Sequence, residues 1–235
     1  MTEVVWDEVE LNRQRLDGLQ QDSQTRYAES GVIPIDNTLV DHDGKLIEDV
    51  GYFWDHAEER YKIAHDYLIA NYVCPSGKHY ALEFRRFRKQ ADGEGKRAEL
   101  DACAGGFAAA SEKEQRLATF KNHTALCGEL IDGVVEQKIP GTFAFDSYFT
   151  NAPICNRIDA HSRAYVGALK FNRKVCFQGV EMRVDAMAAQ IPLSARRDDR
   201  SSDSMVFHQD DSNAGGQARC ASIDSVAALE RRGAS

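Results

Sequence analysis

The sequence predicts an α/β fold: a mixed sheet with flanking helices, incomplete at the C-terminus. Three observations predict it. Short apolar runs bordered by turn formers, such as Val32-Ile33-Pro34-Ile35 and Thr142-Phe143-Ala144-Phe145, read as buried strands. Between Glu112 and Gln137 the positions Leu117, Phe120, Thr124, Cys127, Ile131 and Val134 recur at steps of three and four, the spacing of a core-facing helix. The segments also follow one another in the order strand, strand, strand, helix, strand, helix, strand.

Each element has its own signals. Residues 3–30 are polar and weakly amphipathic through Leu11, Leu16 and Leu19, and Gly31 ends the stretch. Residues 1–31 therefore read as a helical N-terminal remnant of something larger upstream. The strand Val32–Asp36 comes next, followed by a turn at Asp41-His42-Asp43-Gly44. From Tyr61 to Val73 aromatic and β-branched residues dominate, so this run reads as a strand. A Pro75-Ser76-Gly77 turn joins it to a second strand, His79–Phe84, in an antiparallel hairpin. Residues 90–111, rich in Gly, Ala and charge, read as an irregular insert or loop. Pro140 and Gly141 close the long helix and start the strand that ends at Asp146. A short helix around Ala152–Ile158 leads to the strand Ala164–Leu169. After Pro192 the chain is polar and aperiodic through Gln217, a composition that buries no core, and only Ile223–Arg232 suggests a helix. Residues 193–235 are thus expected to be a poorly structured tail.

Composition narrows the function. An apolar fraction of 43% and a charged fraction of 28% are those of a globular domain. The acidic start Met1–Glu8 lacks the pattern of a signal peptide, and no apolar run is long enough to cross a bilayer. A cytoplasmic protein with no membrane partner is expected. The six cysteines include no Cys-x-x-Cys pair, so buried free thiols are expected. The seven histidines are scattered; His56 and His65 are placed so that they could approach each other, but no third ligand has suitable spacing, which disfavours zinc. No glycine-rich phosphate-binding motif occurs, which disfavours nucleotide-binding enzymes. A net charge of -8 argues mildly against nucleic acid. Local basic clusters oppose that argument, at Arg85-Arg86-Phe87-Arg88-Lys89 and Lys170-Phe171-Asn172-Arg173-Lys174.

Two aspartates far apart in the chain carry the most chemistry. Asp36 and Asp146 each end a short apolar run, where a carboxylate can stand at a sheet edge. Two such carboxylates on adjacent strands can hold divalent cations for phosphoryl transfer. Aspartate after a strand is also a common turn former.

The stretches Asp36-Asn37-Thr38-Leu39-Val40-Asp41-His42-Asp43-Gly44-Lys45, Asp146-Ser147-Tyr148-Phe149-Thr150-Asn151 and Tyr165-Val166-Gly167-Ala168-Leu169-Lys170-Phe171-Asn172 resemble the DDE transposases of bacterial and archaeal insertion sequences, the haloarchaeal type in particular. The resemblance covers roughly residues 3–192. In that family the first aspartate lies in an Asp-x-Thr motif and the second in an Asp-x-x-Tyr-like motif. Asp36 and Asp146 match these two, with Phe149 next to the aromatic position. The resemblance implies a ribonuclease H-like core over residues 32–192, with the first and fourth strands adjacent. It also implies Mg²⁺ or Mn²⁺ on Asp36 and Asp146, and metal-dependent DNA cleavage and strand transfer. The implied partners are DNA (transposon ends and target), a second copy or an intact transposase.

One departure matters. The family's third carboxylate, a Glu on a later helix, has no matching motif here. Glu181 and Glu230 are the late glutamates, and both read as surface residues. A frameshift or premature end after residue 192 accounts for this, and the expectation is a partial, inactive copy. The alternatives are a non-catalytic fragment that binds DNA or an intact transposase, and an unrelated metal-dependent nuclease on the same fold. Thr38 is expected on the same strand face as Asp36, and Tyr148 and Phe149 are expected to pack in the core.

Overall fold

In the computed structural model the described residues are 7–43, 47, 50–103, 105–177, 179–190 and 204–208. They form a mixed α/β protein with a mixed sheet and flanking helices. The chain divides into two units: Met1–Pro34 with Val73–Lys78 and Pro140–Ser235, and Ile35–Tyr72 with His79–Ile139. The division falls inside the first strand, β1 (Val32–Asp41).

In the first unit, α1 (Glu8–Leu19) starts at Asp7, whose side chain accepts from Glu10 N at 3.0 Å. Leu16 is its buried residue, while Leu11 is exposed, so the helix touches its surroundings along a narrow stripe. The start of β1 pairs in parallel with β5 (Thr142–Phe145), in the register Val32↔Thr142, Ile33↔Phe143, Pro34↔Ala144. On its other side β5 pairs in parallel with β6 (Tyr165–Lys170). Parallel neighbours need a crossover, and α6 (Ala152–Ala160) lies between β5 and β6 in the chain. Asn151 caps α6 by accepting from Ile154 N at 3.2 Å, and Pro153 sits in its first turn, where no amide donor is needed. Ile154 and Ile158, one helical turn apart, are buried along with Ile33, Phe143 and Phe149. A hairpin of β7 (Lys174–Phe177) and β8 (Val180–Arg183) leads into α7 (Val184–Gln190), whose Val184 and Met187 form a small separate cluster. Within the stretch expected to be a tail, β9 (Ser204–His208) pairs antiparallel with β6. The other residues of 193–235, including Glu230 and the expected helix 223–232, lie outside the described residues, as do Gly44 and Lys45.

The second unit contains the rest of β1 and the strands β2 (Gly51–Asp55), β3 (Arg60–Val73) and β4 (His79–Phe87), in the order β2-β3-β1 with β4 also on β3. The alternation along β3 is explicit. Lys62, Ala64, Asp66, Leu68, Ala70 and Tyr72 are buried on one face.

Two expectations need correction here. The supposed irregular insert is helical, with α2 (Gln90–Asp101) followed by the short α3 (Gly106–Ala109). Its glycines and charges suggested a loop, but its polar side chains pair at helical spacing: Gln90 with Glu94 at 2.8 Å and Arg97 with Asp101 at 3.0 Å. The single helix expected over 112–137 is two, α4 (Glu112–Ala118) and α5 (His123–Glu136). Thr119 turns extended after α4, and Asn122 caps α5 by accepting from Ala125 N at 2.9 Å. Apolar periodicity runs through the break and hides it, whereas the capping asparagine marks it.

The β2–β3 turn is pinned by Lys62, whose ammonium lies 2.8 Å from Asp55, 3.0 Å from Asp41 and 2.5 Å from Glu58. The hydrogen bond from Lys62, then those from the turn amides, lower the Asp55 carboxyl from 3.8 to about 2. A carboxyl lowered on folding adds stability above its unfolded value, and that stability is lost as pH falls through the folded one. Unfolding free energy is therefore expected to drop between pH 3.8 and about 2, with a shallower drop in Asp55→Asn. Denaturant titrations across that range check this, and identical pH slopes would remove Asp55 from the account.

Candidate functional site

Asp36 lies on β1 just after the buried Ile33 and Ile35, and it is exposed. Its Oδ1 accepts from Asn37 N at 2.8 Å. Thr38, two residues on, is also exposed and shares its strand face. Asp146 follows β5 immediately and is exposed as well. Its Oδ1 accepts from Tyr148 N at 3.0 Å and Phe149 N at 3.1 Å, and so closes an Asx turn.

The loop after Asp146 is held from several sides. The Thr150 hydroxyl donates to the Asp146 carbonyl at 2.7 Å, and Arg173 donates to the carbonyls of Ser147 at 2.9 Å and Thr150 at 3.2 Å. Gly167 on β6 makes room for it, since a Cβ there would sit 2.4 Å from Thr150 Oγ1. Phe149 is fully buried, as expected, but Tyr148 is exposed and meets the Phe149 ring edge-on. One residue of this turn anchors the core while its neighbour stays in solvent.

The two aspartates differ in their local setting: Asp36 lies within β1, which runs on to Asp41 rather than ending at Asp36 as expected, whereas Asp146 stands just past the end of β5. The last register pair of β1 and β5 is Pro34↔Ala144, and each aspartate stands two residues beyond its member of that pair. Of the late glutamates, Glu181 is exposed on β8 and paired with Lys174 at 2.8 Å, a surface ion pair. Part of the basic cluster 170–174 is thus taken up within the unit, with Arg173 on the Asp146 loop and Lys174 on Glu181. Among the described residues no group of three or more His, Cys, Asp or Glu could hold a metal ion, and no helix is long and apolar enough to cross a membrane.

The second unit contains polar groups that sequence reading passed over. Asp66 is buried in the middle of β3. Its Oδ2 accepts from His123 Nε2 at 2.9 Å, and its Oδ1 from Asn37 Nδ2 at 3.5 Å. The Phe87 ring stacks on His123 at 3.9 Å between centroids. A charged residue inside the apolar run 63–73 was the available signal, because a buried carboxylate requires partners. His65 and His56 have different neighbours. His65 Nδ1 meets His42 Nε2 at 2.9 Å, while His56 packs edge-on near Trp54. The backbone explains the choice: His42 N donates to Ile63 O, which brings the end of β1 alongside β3.

No protein-family model matches the chain, and no curated protein matches it. The local geometry defines the class: a mixed α/β protein with one exposed aspartate, Asp36, along β1 and another, Asp146, directly after β5.

Proposed function

We propose that this chain carries the first two acidic positions of a DDE-type DNA transposase core of ribonuclease H-like fold. The observation that carries the reading is the parallel β1–β5 register, from which Asp36 and Asp146 follow at equal offset. The strand orders β2-β3-β1 and β1-β5-β6 add support, because parallel strands beside an antiparallel group are what that fold requires. Carboxylate oxygens are hard donors suited to Mg²⁺ or Mn²⁺. Such ions, when bound, stabilise the entering and leaving oxygens of an in-line displacement at phosphorus.

The protein's own groups have definite tasks in this reading. The Asx turn fixes the Asp146 carboxylate through Oδ1, and Arg173 and Thr150 fix the turn. Thr38 shares the strand face of Asp36, where its hydroxyl orients that carboxylate. With two carboxylates and no third among the described residues, metal capture is retained and strand transfer is not. DNA binding is weak, salt-sensitive and tolerant of sequence, since it rests on local basic charge.

The test is Mn²⁺ binding together with nicking and strand transfer on transposon-end DNA, with Mg²⁺ or Mn²⁺ supplied. Asp36→Asn and Asp146→Asn are the informative variants, because an asparagine Oδ1 can still accept the turn amides while the charge is lost. The expected result is Mn²⁺ binding weakened at least tenfold in either variant, with no strand transfer by the unaltered chain. Mn²⁺ binding equal in all three proteins would overturn the site. Strand transfer abolished by Asp146→Asn would instead show a complete active centre.

A further inference from the structure

Two imidazoles of the second unit meet nitrogen to nitrogen. His42 Nε2 lies 2.9 Å from His65 Nδ1, with ring planes 75° apart and centroids 4.6 Å apart. The sheet sets this approach. His42 follows β1 directly, and its amide donates at 2.9 Å to the carbonyl of Ile63, two residues before His65 on β3. Alternate residues of a strand share a face, so Asp41 turns to Lys62 on one side of the sheet while His42 and His65 meet on the other. His65 is 8% exposed and Tyr67 packs edge-on against it, which makes its ring the fixed member of the pair. His42 is half-buried and is the member that solvent reaches.

The separation has a chemical meaning. At 2.9 Å one ring must offer a lone pair, because two N–H groups aimed at each other repel. A hydroxyl or a carboxamide would serve that hydrogen bond as well as a second ring does. Two imidazoles add what neither offers, a pair of nitrogen donors for one cation. With metal–nitrogen bonds of about 2.0–2.1 Å, two nitrogens at a right angle lie ~2.9 Å apart, and two at a tetrahedral angle ~3.3 Å. The observed separation is that of the right angle, which belongs to tetragonal Cu²⁺ and Ni²⁺ sites rather than to tetrahedral zinc.

We propose that His42 and His65 form a two-histidine site for a tetragonal divalent cation of the Cu²⁺ and Ni²⁺ type. On binding, each ring turns its lone pair from its neighbour to the ion. The hydrogen held between the rings passes through solvent to the other nitrogen of its own ring, so both rings stay neutral and no proton is gained or lost. Among the described residues no third His, Cys, Asp or Glu completes the set, and water fills the remaining positions. The site is separate from the aspartate pair, since Asp36 lies six residues back along β1, roughly 20 Å at ~3.3 Å per residue.

Calorimetric titration of the full chain with Ni²⁺ tests it, together with electron paramagnetic resonance of the chain loaded with Cu²⁺. The expected result is Ni²⁺ binding that weakens at least tenfold in His42→Gln and in His65→Gln, and a tetragonal Cu²⁺ spectrum coupled to two imidazoles. Glutamine keeps a hydrogen-bonding group against the remaining ring and removes the imidazole, and circular dichroism checks that the fold is kept. Should the more buried His65→Gln fail to fold, His42→Gln decides alone. His56→Gln is the control, a histidine outside the pair that packs near Trp54, and Ni²⁺ binding there should be unchanged. No Ni²⁺ binding by the unaltered chain, or equal binding in His42→Gln, would overturn the proposal. So would Cu²⁺ coupled to a single imidazole. An equal loss in His56→Gln would show adventitious binding by histidines and overturn it as well.

Discussion

Phe143→Ala is expected to destabilise the protein by about 3–5 kcal/mol, the usual cost of emptying a fully buried aromatic site. Phe143 has no exposed surface, and it lies between Ile33 on β1 and Tyr165 on β6 in the sheet register. Its ring lies near-parallel to that of Phe145 at 6.3 Å, and the Arg163 guanidinium lies 5.5 Å from its centroid. Removing it leaves a cavity beside β5, the strand that Asp146 follows, so on the proposed metal-site reading Mn²⁺ binding weakens together with stability. Urea unfolding at constant slope measures the first effect. Tyr148→Ala is the control. That ring is 56% exposed, and a change within about 0.5 kcal/mol is expected. A loss below about 1 kcal/mol for Phe143→Ala would mean that β5 is not the packed centre of its unit.

Gly141→Ala is expected to cost on the order of 3 kcal/mol through strain and overpacking together. Its φ is +125°, a conformation that side chains rarely adopt, and a Cβ there would meet Gly31 O at 2.7 Å. That carbonyl accepts from Thr142 N at 3.0 Å, so displacing it opens the first bond between the segments that lead into β1 and β5. The Gly141 carbonyl in turn accepts from Arg163 Nη2 at 2.9 Å. Gly77 provides the comparison. Its φ is +84° and a Cβ there would meet nothing within 4 Å, so Gly77→Ala should show strain alone, about 1–2 kcal/mol. Equal losses at the two positions would mean that the approach to Gly31 is not tight.

Elements whose signals are local were legible in the sequence. The run 61–73 is a strand because aromatic and β-branched residues favour a pleated, half-buried surface, and β3 spans Arg60–Val73. Pro75-Ser76-Gly77 turns the chain, with Gly77 N donating to Cys74 O. Signals that depend on context were not legible. β2, Gly51–Asp55, is five residues without a long apolar pattern, and it exists because it pairs with β3. β9 sits in a polar stretch and is a strand by pairing with β6. Helix α2 contains Gly93 and Gly95, which weaken intrinsic propensity, and side-chain pairing offsets the deficit.

The same division runs through the polar groups. By itself the sequence determined that Asp146 follows a short buried strand and that Asp36 follows the buried Ile33 and Ile35, although β1 runs on through Asp36 to Asp41. Residue type and alternation are local, and an apolar run closed by aspartate needs no distant partner to be recognised. Only the tertiary structure decided which groups meet. It paired Asp66 with His123, fifty-seven residues apart, and gave His65 to His42 rather than to His56. The register Pro34↔Ala144, on which the equal offset of the two aspartates rests, is tertiary as well. Partner choice across such separations follows from strand register and the packing of whole faces, and those minimise buried, unpaired polar groups over the fold rather than along the chain.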